Sequence, residues 1–169
     1  QVGGACNGKT EGEVGALMDS GCFEAEGTRL YCPNIHRSWQ GARELCEFND
    51  GMDLVVIDNE DENVLVNATF QELGINLHFW IGLTDQEVEG QFVWSDGYTW
   101  SVDDNNGLYD AFALEEPNDS NENEDCVESG SAWSAEQTIS GVLDFPSMGW
   151  NDLNCETVMG FVCEKAPQC

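Results

Sequence analysis

The chain is predicted to fold as a disulfide-stabilised α+β domain, and three observations lead there. Two helical patterns come early and short apolar strands come late. A long, irregular and very acidic stretch interrupts the strands, with no internal repeat. Eight dispersed cysteines, none in a CxxC pair, read as disulfides formed in an oxidising compartment. With two histidines and no such pair, a zinc site is not expected.

Residues 1–21 are Gly-rich, lack apolar periodicity and read as an N-terminal extension. SWQGARELCEF (38–48) is expected to be helical, capped by Ser38, with Trp39, Ala42, Leu45 and Cys46 on one face. MDLVVID (52–58) is short and β-branched, the pattern of a buried strand. NEDENVLVNATFQELG (59–74) predicts a second helix. Asn59 with Glu62 resembles a capping box, acids fill the first turn, and Gly74 suits the C-cap. FWIGLTD (79–85) and GQFVWSDG (90–97) read as strands followed by turns, and GFVCE (160–164) as a closing strand. Residues 98–125 read as loop, and 127–149 as a mixed Gly/Ser-rich segment holding Trp133 and Phe145. Irregular segments this long usually carry function.

A chain of 169 residues suits one domain with a sizeable core. Apolar residues make up 41%, too many for a disordered acidic tail despite a net charge of −28. That charge disfavours nucleic acid and anionic membranes as partners and leaves cations, cationic proteins, or neutral ligands bridged by a metal, open. No apolar run reaches the roughly 18 residues of a membrane span, so none is expected to insert. No secretory leader pattern opens the chain, so a secreted protein is expected to be in its mature form from Gln1.

EEPNDSNENEDC (115–126) packs six carboxylates among three amides: Glu115, Glu116, Asp119, Glu122, Glu124 and Asp125 with Asn118, Asn121 and Asn123. Like charges so close repel, so the plain reading is a solvated linker. The sharper reading is a cation site. Hard oxygen donors without sulfur suit Ca²⁺, which takes six to eight of them, better than Mg²⁺. No EF-hand run is present, so a site must be assembled from separate segments, with TDQEVEG (84–90) and WND (150–152) as contributors.

WIGL (80–83), EPN (116–118), WND (150–152) and FVCE (161–164) occur in this order among the cysteines, and EAEG (24–27) follows Cys22. Together they resemble the C-type lectin-like domain over about residues 22 to 164, leaving 165–169 as a C-terminal tail. The resemblance implies two helices, short antiparallel strands and a long Ca²⁺-binding loop region. It implies a principal Ca²⁺ and carbohydrate site at Glu116, Asn118, Glu124, Asn151 and Asp152, with Pro117 cis. It implies an auxiliary Ca²⁺ at Asp85, Glu89, Asp119, Glu124 and Asp125, so two ions in all. Vicinal sugar hydroxyls would complete the principal shell, and Glu-Pro-Asn matches the mannose, fucose and N-acetylglucosamine type; the galactose type carries Gln-Pro-Asp. By the same resemblance Cys46 pairs with Cys163, Cys126 with Cys155 and Cys22 with Cys32, while Cys6 and Cys169 either join each other or link two chains.

Residues 98–115 and 127–149 are longer than the family's usual segments. Tyr109, Phe112, Trp133 and Phe145 either stack on a sugar or pack their own loops, the second being the more ordinary outcome. Asn67-Ala-Thr69 is a glycosylation sequon on a predicted helix face. Asn118-Asp-Ser120 also matches but is expected bare, because a glycan there would block the site. The expectation is a secreted, extracellular, non-enzymatic lectin that binds glycans, with self-association open. The alternatives are a galactose-specific lectin with modified loops, or a structural, mineral-surface or ice-surface protein on the same fold.

Overall fold

Ser38 opens the first helix by accepting the Gly41 N–H at 3.2 Å, and Asn59 opens the second by accepting the Glu62 N–H at 2.8 Å. A computed structural model of the chain describes residues 21–74, 77–101, 108–131 and 149–166. The helices are α1 (Trp39–Phe48) and α2 (Glu60–Leu73). The strands are β1 (Phe23–Ala25), β2 (Arg29–Arg37), β3 (Asp53–Leu54), β4 (Phe79–Thr84), β5 (Gln91–Trp94), β6 (Thr99–Ser101), β7 (Cys126–Ser131), β8 (Gly149–Leu153) and β9 (Met159–Glu164).

The main sheet path runs β1-β2-β9-β4-β5-β6; β3 pairs with β9, and β7 joins β4 to β8. The last strand, β9, therefore lies inside the sheet, between β2 and β4. Most ladders are antiparallel, but β4 and β9 run parallel through Phe79–Gly160 and Trp80–Phe161, so the sheet is mixed rather than purely antiparallel. Both sheet faces are covered, which explains why FWIGL reads as continuous apolar sequence instead of an alternation. Phe79, Ile81, Leu83, Tyr31 and Val162 share one core with Val66 and Phe70 of α2. Trp80, Leu30, Phe161 and Cys163 face the other core with Trp39, Ala42 and Cys46 of α1. Disulfides join Cys22–Cys32, Cys46–Cys163 and Cys126–Cys155. Cys6, Cys169, Trp133 and Phe145 lie outside the described residues.

Several sequence expectations need correction. Of residues 52–58 only Asp53–Leu54 enter a ladder. Val55 continues as buried extended chain, donating to the Val162 carbonyl and accepting from Gly82. The capping box is half made: the Glu62 carboxylate serves Arg29 at 3.1 Å. Gly74 does end α2, but in extended conformation (φ −141°, ψ 166°). Its missing side chain matters for packing, because a Cβ there would stand 2.6 Å from Pro33 Cβ. Strands β6, β7 and β8 occupy segments that read as loop or mixed. Asn67 is fully buried; its amide donates to the Asn63 carbonyl and its oxygen accepts from Ser129 at 2.8 Å. That sequon cannot carry a glycan in this fold.

Gly160 shows how tightly the sheet centre is filled. A Cβ there would stand 2.8 Å from Phe70 Cζ and 2.9 Å from the Cys32 carbonyl oxygen. Gly160→Ala should destabilise the domain by about 1–3 kcal/mol. The check is the urea midpoint; an unchanged midpoint would mean that the Phe70 ring moves aside at no cost.

Candidate functional site

Strand pairing brings three segments to one end of the sheet. Thr84 at the end of β4 pairs with Cys126 at the start of β7, and Cys126 pairs with Leu153 at the end of β8. The residues next to these positions are Asp85, Asp125 and Asp152. The acidic loop 115–125 enters between them. Its approach is tied to β8 by the Ala113 N–H to the Trp150 carbonyl (2.9 Å) and the Trp150 N–H to the Ala111 carbonyl (2.8 Å).

Asp85, Glu89 and Asp125 form one group, with a carboxylate oxygen from each lying within 4.8 Å of the others. Local backbone builds it. The Asp125 carbonyl accepts from the Thr84 hydroxyl (2.6 Å) and the Asp85 N–H (3.1 Å), and Gly90 N–H donates to Asp85 at 2.9 Å. Thr84 was not singled out from sequence, although a hydroxyl next to a predicted ligand could have drawn attention to it.

Glu116, Asn118, Glu124 and Asp152 form the second group. Asp152 is buried and clamps the loop, accepting the Asn118 N–H at 3.0 Å and the Asp119 N–H at 2.7 Å. The Asn118 amide donates to Glu116 at 2.9 Å, and Glu124 accepts the Ser120 N–H at 2.9 Å. Asn151 is half-buried on β8, directly before Asp152. Asp119 belongs with this side of the loop, accepting the Glu124 N–H at 3.1 Å. The Glu116–Pro117 peptide is cis. Glu115, Asp119, Asn121 and Glu122 all have positive φ (67°, 43°, 61° and 53°). So many left-handed non-glycine residues are costly unless the surroundings hold them, and Asn and Asp tolerate that region best.

Both groups crowd carboxylates whose mutual repulsion a proton or a cation would relieve. Burial pushes the Asp85 carboxyl up to about 7, helped by Glu89 and Asp125 and opposed by the Gly90 N–H. Burial likewise raises Glu116 to about 7, with Asp152 in hydrogen-bonding reach and Glu124 nearby. Glu124 is raised by burial and by Asp152 and Asp119. Two carboxylates in contact can share a hydrogen bond only if one is protonated. Four buried side-chain polar atoms lack a partner among the described residues, and two of them are Asp85 Oδ1 and Glu116 Oε2, one in each group. An orphaned, desolvated carboxylate oxygen beside another carboxylate is costly, and a cation removes that cost. The donors are all oxygen, as a hard ion of the Ca²⁺ type prefers.

Among the described residues, the aromatic side chains that lead into the loop, Tyr109 and Phe112, serve packing. Phe112 is buried against Phe92, Trp100 and Trp150, and Tyr109 meets Trp150 edge-on at 5.6 Å between centroids. Trp150 also donates from Nε1 to Asn63 on α2 at 3.1 Å, which fixes the strand that carries Asn151 and Asp152.

The family model for the C-type lectin domain matches residues 35–165. The chain belongs to this family. This C-type lectin domain is 30% identical over 145 residues to salivary C-type lectin 1 of Aedes albopictus, covering 81% of this chain and 82% of the relative. It is 32% identical over 138 residues to a C-type lectin mannose-binding isoform of Oxyuranus scutellatus, covering 78% and 72%. Among solved structures it superposes on the cow CD23 carbohydrate-recognition domain, determined in the presence of a GlcNAc2Man3 oligosaccharide. The TM-score is 0.61 at 26% identity, covering 88% of this chain and 99% of that one. The family is one of carbohydrate-binding domains that generally use Ca²⁺, and its lectin members are not enzymes. No helix among the described residues is long and apolar enough to cross a membrane.

Proposed function

We propose that this C-type lectin domain is a secreted, extracellular Ca²⁺-dependent lectin that binds mannose-, fucose- or N-acetylglucosamine-type sugars at Glu116, Asn118, Glu124, Asn151 and Asp152. The observation that carries the reading is the orphaned Glu116 Oε2, desolvated next to Asp152 in a loop that Asp152 itself holds in place. Held by these five residues, a Ca²⁺ would supply a Lewis-acidic centre for vicinal sugar hydroxyls. The protein's share is directional. Glu116 and Glu124 accept the hydroxyl protons, while the Asn118 and Asn151 amides donate to the hydroxyl oxygens. Asp85, Glu89 and Asp125 are proposed to hold a second, auxiliary ion, with Asp119 and Glu124 bordering both sites. The mannose-binding name of the Oxyuranus relative supports the sugar class. The three disulfides among the described residues support an oxidising, extracellular setting. Affinity for a single sugar is expected to be roughly millimolar, so useful binding rests on several sites acting together.

Glycan-array binding with and without EDTA tests the proposal. Calcium-dependent binding to mannose, fucose or N-acetylglucosamine is expected. Calcium-dependent binding to galactose alone would overturn the sugar class. No glycan binding in calcium would favour a mineral- or ice-surface role. Glu116→Gln removes the charge from one of the two acceptors and puts an amide donor in place of one oxygen, so it should weaken sugar binding at least about tenfold with the fold intact, since a charged hydrogen bond is worth about 1.5–3 kcal/mol. Binding that survives this change would dismiss the site.

The raised carboxyls set a pH dependence with a definite sign. Glu116 and Asp85 titrate near 7 in the folded, calcium-free protein, against ordinary values of 4.5 and 3.8. The folded state thus holds extra protons across that window, and calcium-free stability falls as pH rises through it. Calcium competes with those protons, so its affinity should rise across the same window. Melting curves at about pH 5 and about pH 8, each with calcium and with EDTA, should show the calcium-induced shift growing with pH. A shift that is flat or shrinks would remove these carboxylates from the ligand set.

A further inference from the structure

A second cleft, of about 260 Å³, opens where the turn after β5 meets the segment leading into α2. Ile57 and Leu108 give it an apolar floor. Tyr98, Tyr109 and Trp94 add aromatic lining. Asp58 and Asp96 are the charged groups among its described lining residues, and Glu60 and Asp110 add negative charge beside Tyr109. Partial burial, with a smaller push from Asp58, raises the Asp96 carboxyl above its ordinary range against the opposing Tyr98 N–H. Asp58 also faces Glu62 and Glu164, whose charges Arg29 holds. Arg43 and Lys165 are engaged elsewhere, with Asp53 and Glu24. Asp96 is held in position by accepting the Tyr98 N–H at 3.2 Å.

Each wall of this cleft favours the same chemistry. The carboxylates attract positive charge, and the faces of Tyr and Trp rings do so through their quadrupole. The apolar floor suits a short hydrocarbon stem rather than a hydrated metal ion. We propose that this cleft binds an alkylammonium group, its charge between Asp58 and Asp96 and its stem on Ile57 and Leu108. A free amine and a lysine side chain share this chemistry. The site shares no residue with the proposed sugar and calcium groups, but it is one aromatic layer away from them. Trp150, which precedes Asn151 and Asp152, packs against both Trp94 and Tyr109 of the cleft.

The test is a titration of the calcium-saturated protein with n-butylammonium chloride at constant ionic strength, followed by backbone amide shifts. The neutral isostere n-butanol is the control. Saturable shifts confined to Asp58, Trp94 and Asp96–Tyr98 are expected, with roughly millimolar affinity and no equivalent from n-butanol. Asp58→Asn and Asp96→Asn should each weaken binding about tenfold; asparagine at 96 keeps the acceptor for the Tyr98 N–H. Glu44→Gln, on the exposed side of α1, should not change it. Titrating N-acetyl-lysine methylamide then separates the sources: tighter binding than n-butylammonium assigns the cleft to a peptide lysine, weaker binding to a free amine. Non-saturating shifts spread over the acidic surface would overturn the proposal. So would equal response to n-butanol, or binding that both asparagine variants retain.

Discussion

Removing calcium should lower the melting temperature of this domain by roughly 5–10 °C for each ion lost. The estimate follows from linkage. A ligand at a hundredfold excess over its dissociation constant adds about 2.7 kcal/mol, and a domain of this size shifts by about 2–4 °C per kcal/mol. The structural reason is the pair of crowded carboxylate groups, each built around one buried aspartate, Asp85 and Asp152. Without a cation, Glu116 faces Asp152 and Asp85 faces Glu89 and Asp125, and each group must either take up a proton or bear the repulsion. Differential scanning calorimetry in calcium and in EDTA measures the shift directly. Magnesium at equal concentration should restore little of it, because Mg²⁺ sheds its water reluctantly and needs near-octahedral geometry. Identical melting curves in calcium and EDTA would end the two-ion reading.

Asp152→Ala should abolish calcium-dependent sugar binding, with a loss of at least about a hundredfold. Asp152 has two tasks. Its oxygens accept the Asn118 and Asp119 N–H groups, which sets the course of the loop. Its charge stands beside Glu116 and Glu124, where a cation is proposed to sit. Two hydrogen bonds to a charged acceptor are worth about 1.5–3 kcal/mol each. In EDTA the loss is partly offset, since the substitution also relieves repulsion on Glu116. In calcium nothing offsets it. The variant should therefore be only mildly destabilised in EDTA and lose about half of the calcium-induced gain in melting temperature, the auxiliary group keeping the rest. A variant with the full calcium response would show that Asp152 is a structural clamp and not a ligand.

The two helices were legible because their signals are local. Ser38 and Asn59 cap their helices within four residues of chain, and the apolar face of α1 is readable from spacing alone. Strand β4 was legible because both of its faces are buried, which leaves an unbroken apolar run. Strands β6 and β8 were not. GWNDL carries Asn and Asp, poor strand formers, and is a strand because β7 and the 111–113 segment supply partners on either side. Such pairing is a property of distant chain, and no window of sequence contains it.

Sequence by itself determined the chemistry on offer: an even set of cysteines, a loop rich in oxygen donors, and motifs in the order of one family. Tertiary structure decided how that chemistry is shared out. Asp85 and Asp125, forty positions apart, meet because Thr84 pairs with Cys126. Asp119 accepts the Glu124 N–H, which ties the two sides of the acidic loop together. Asn67, which looks like an exposed glycan acceptor, is sealed between α2 and β7 by bonds to Asn63 and Ser129. The physical reason is the same in each case. Which donors a residue type offers is written in its own atoms, but burial and the groups it meets depend on chain that folds against it from elsewhere.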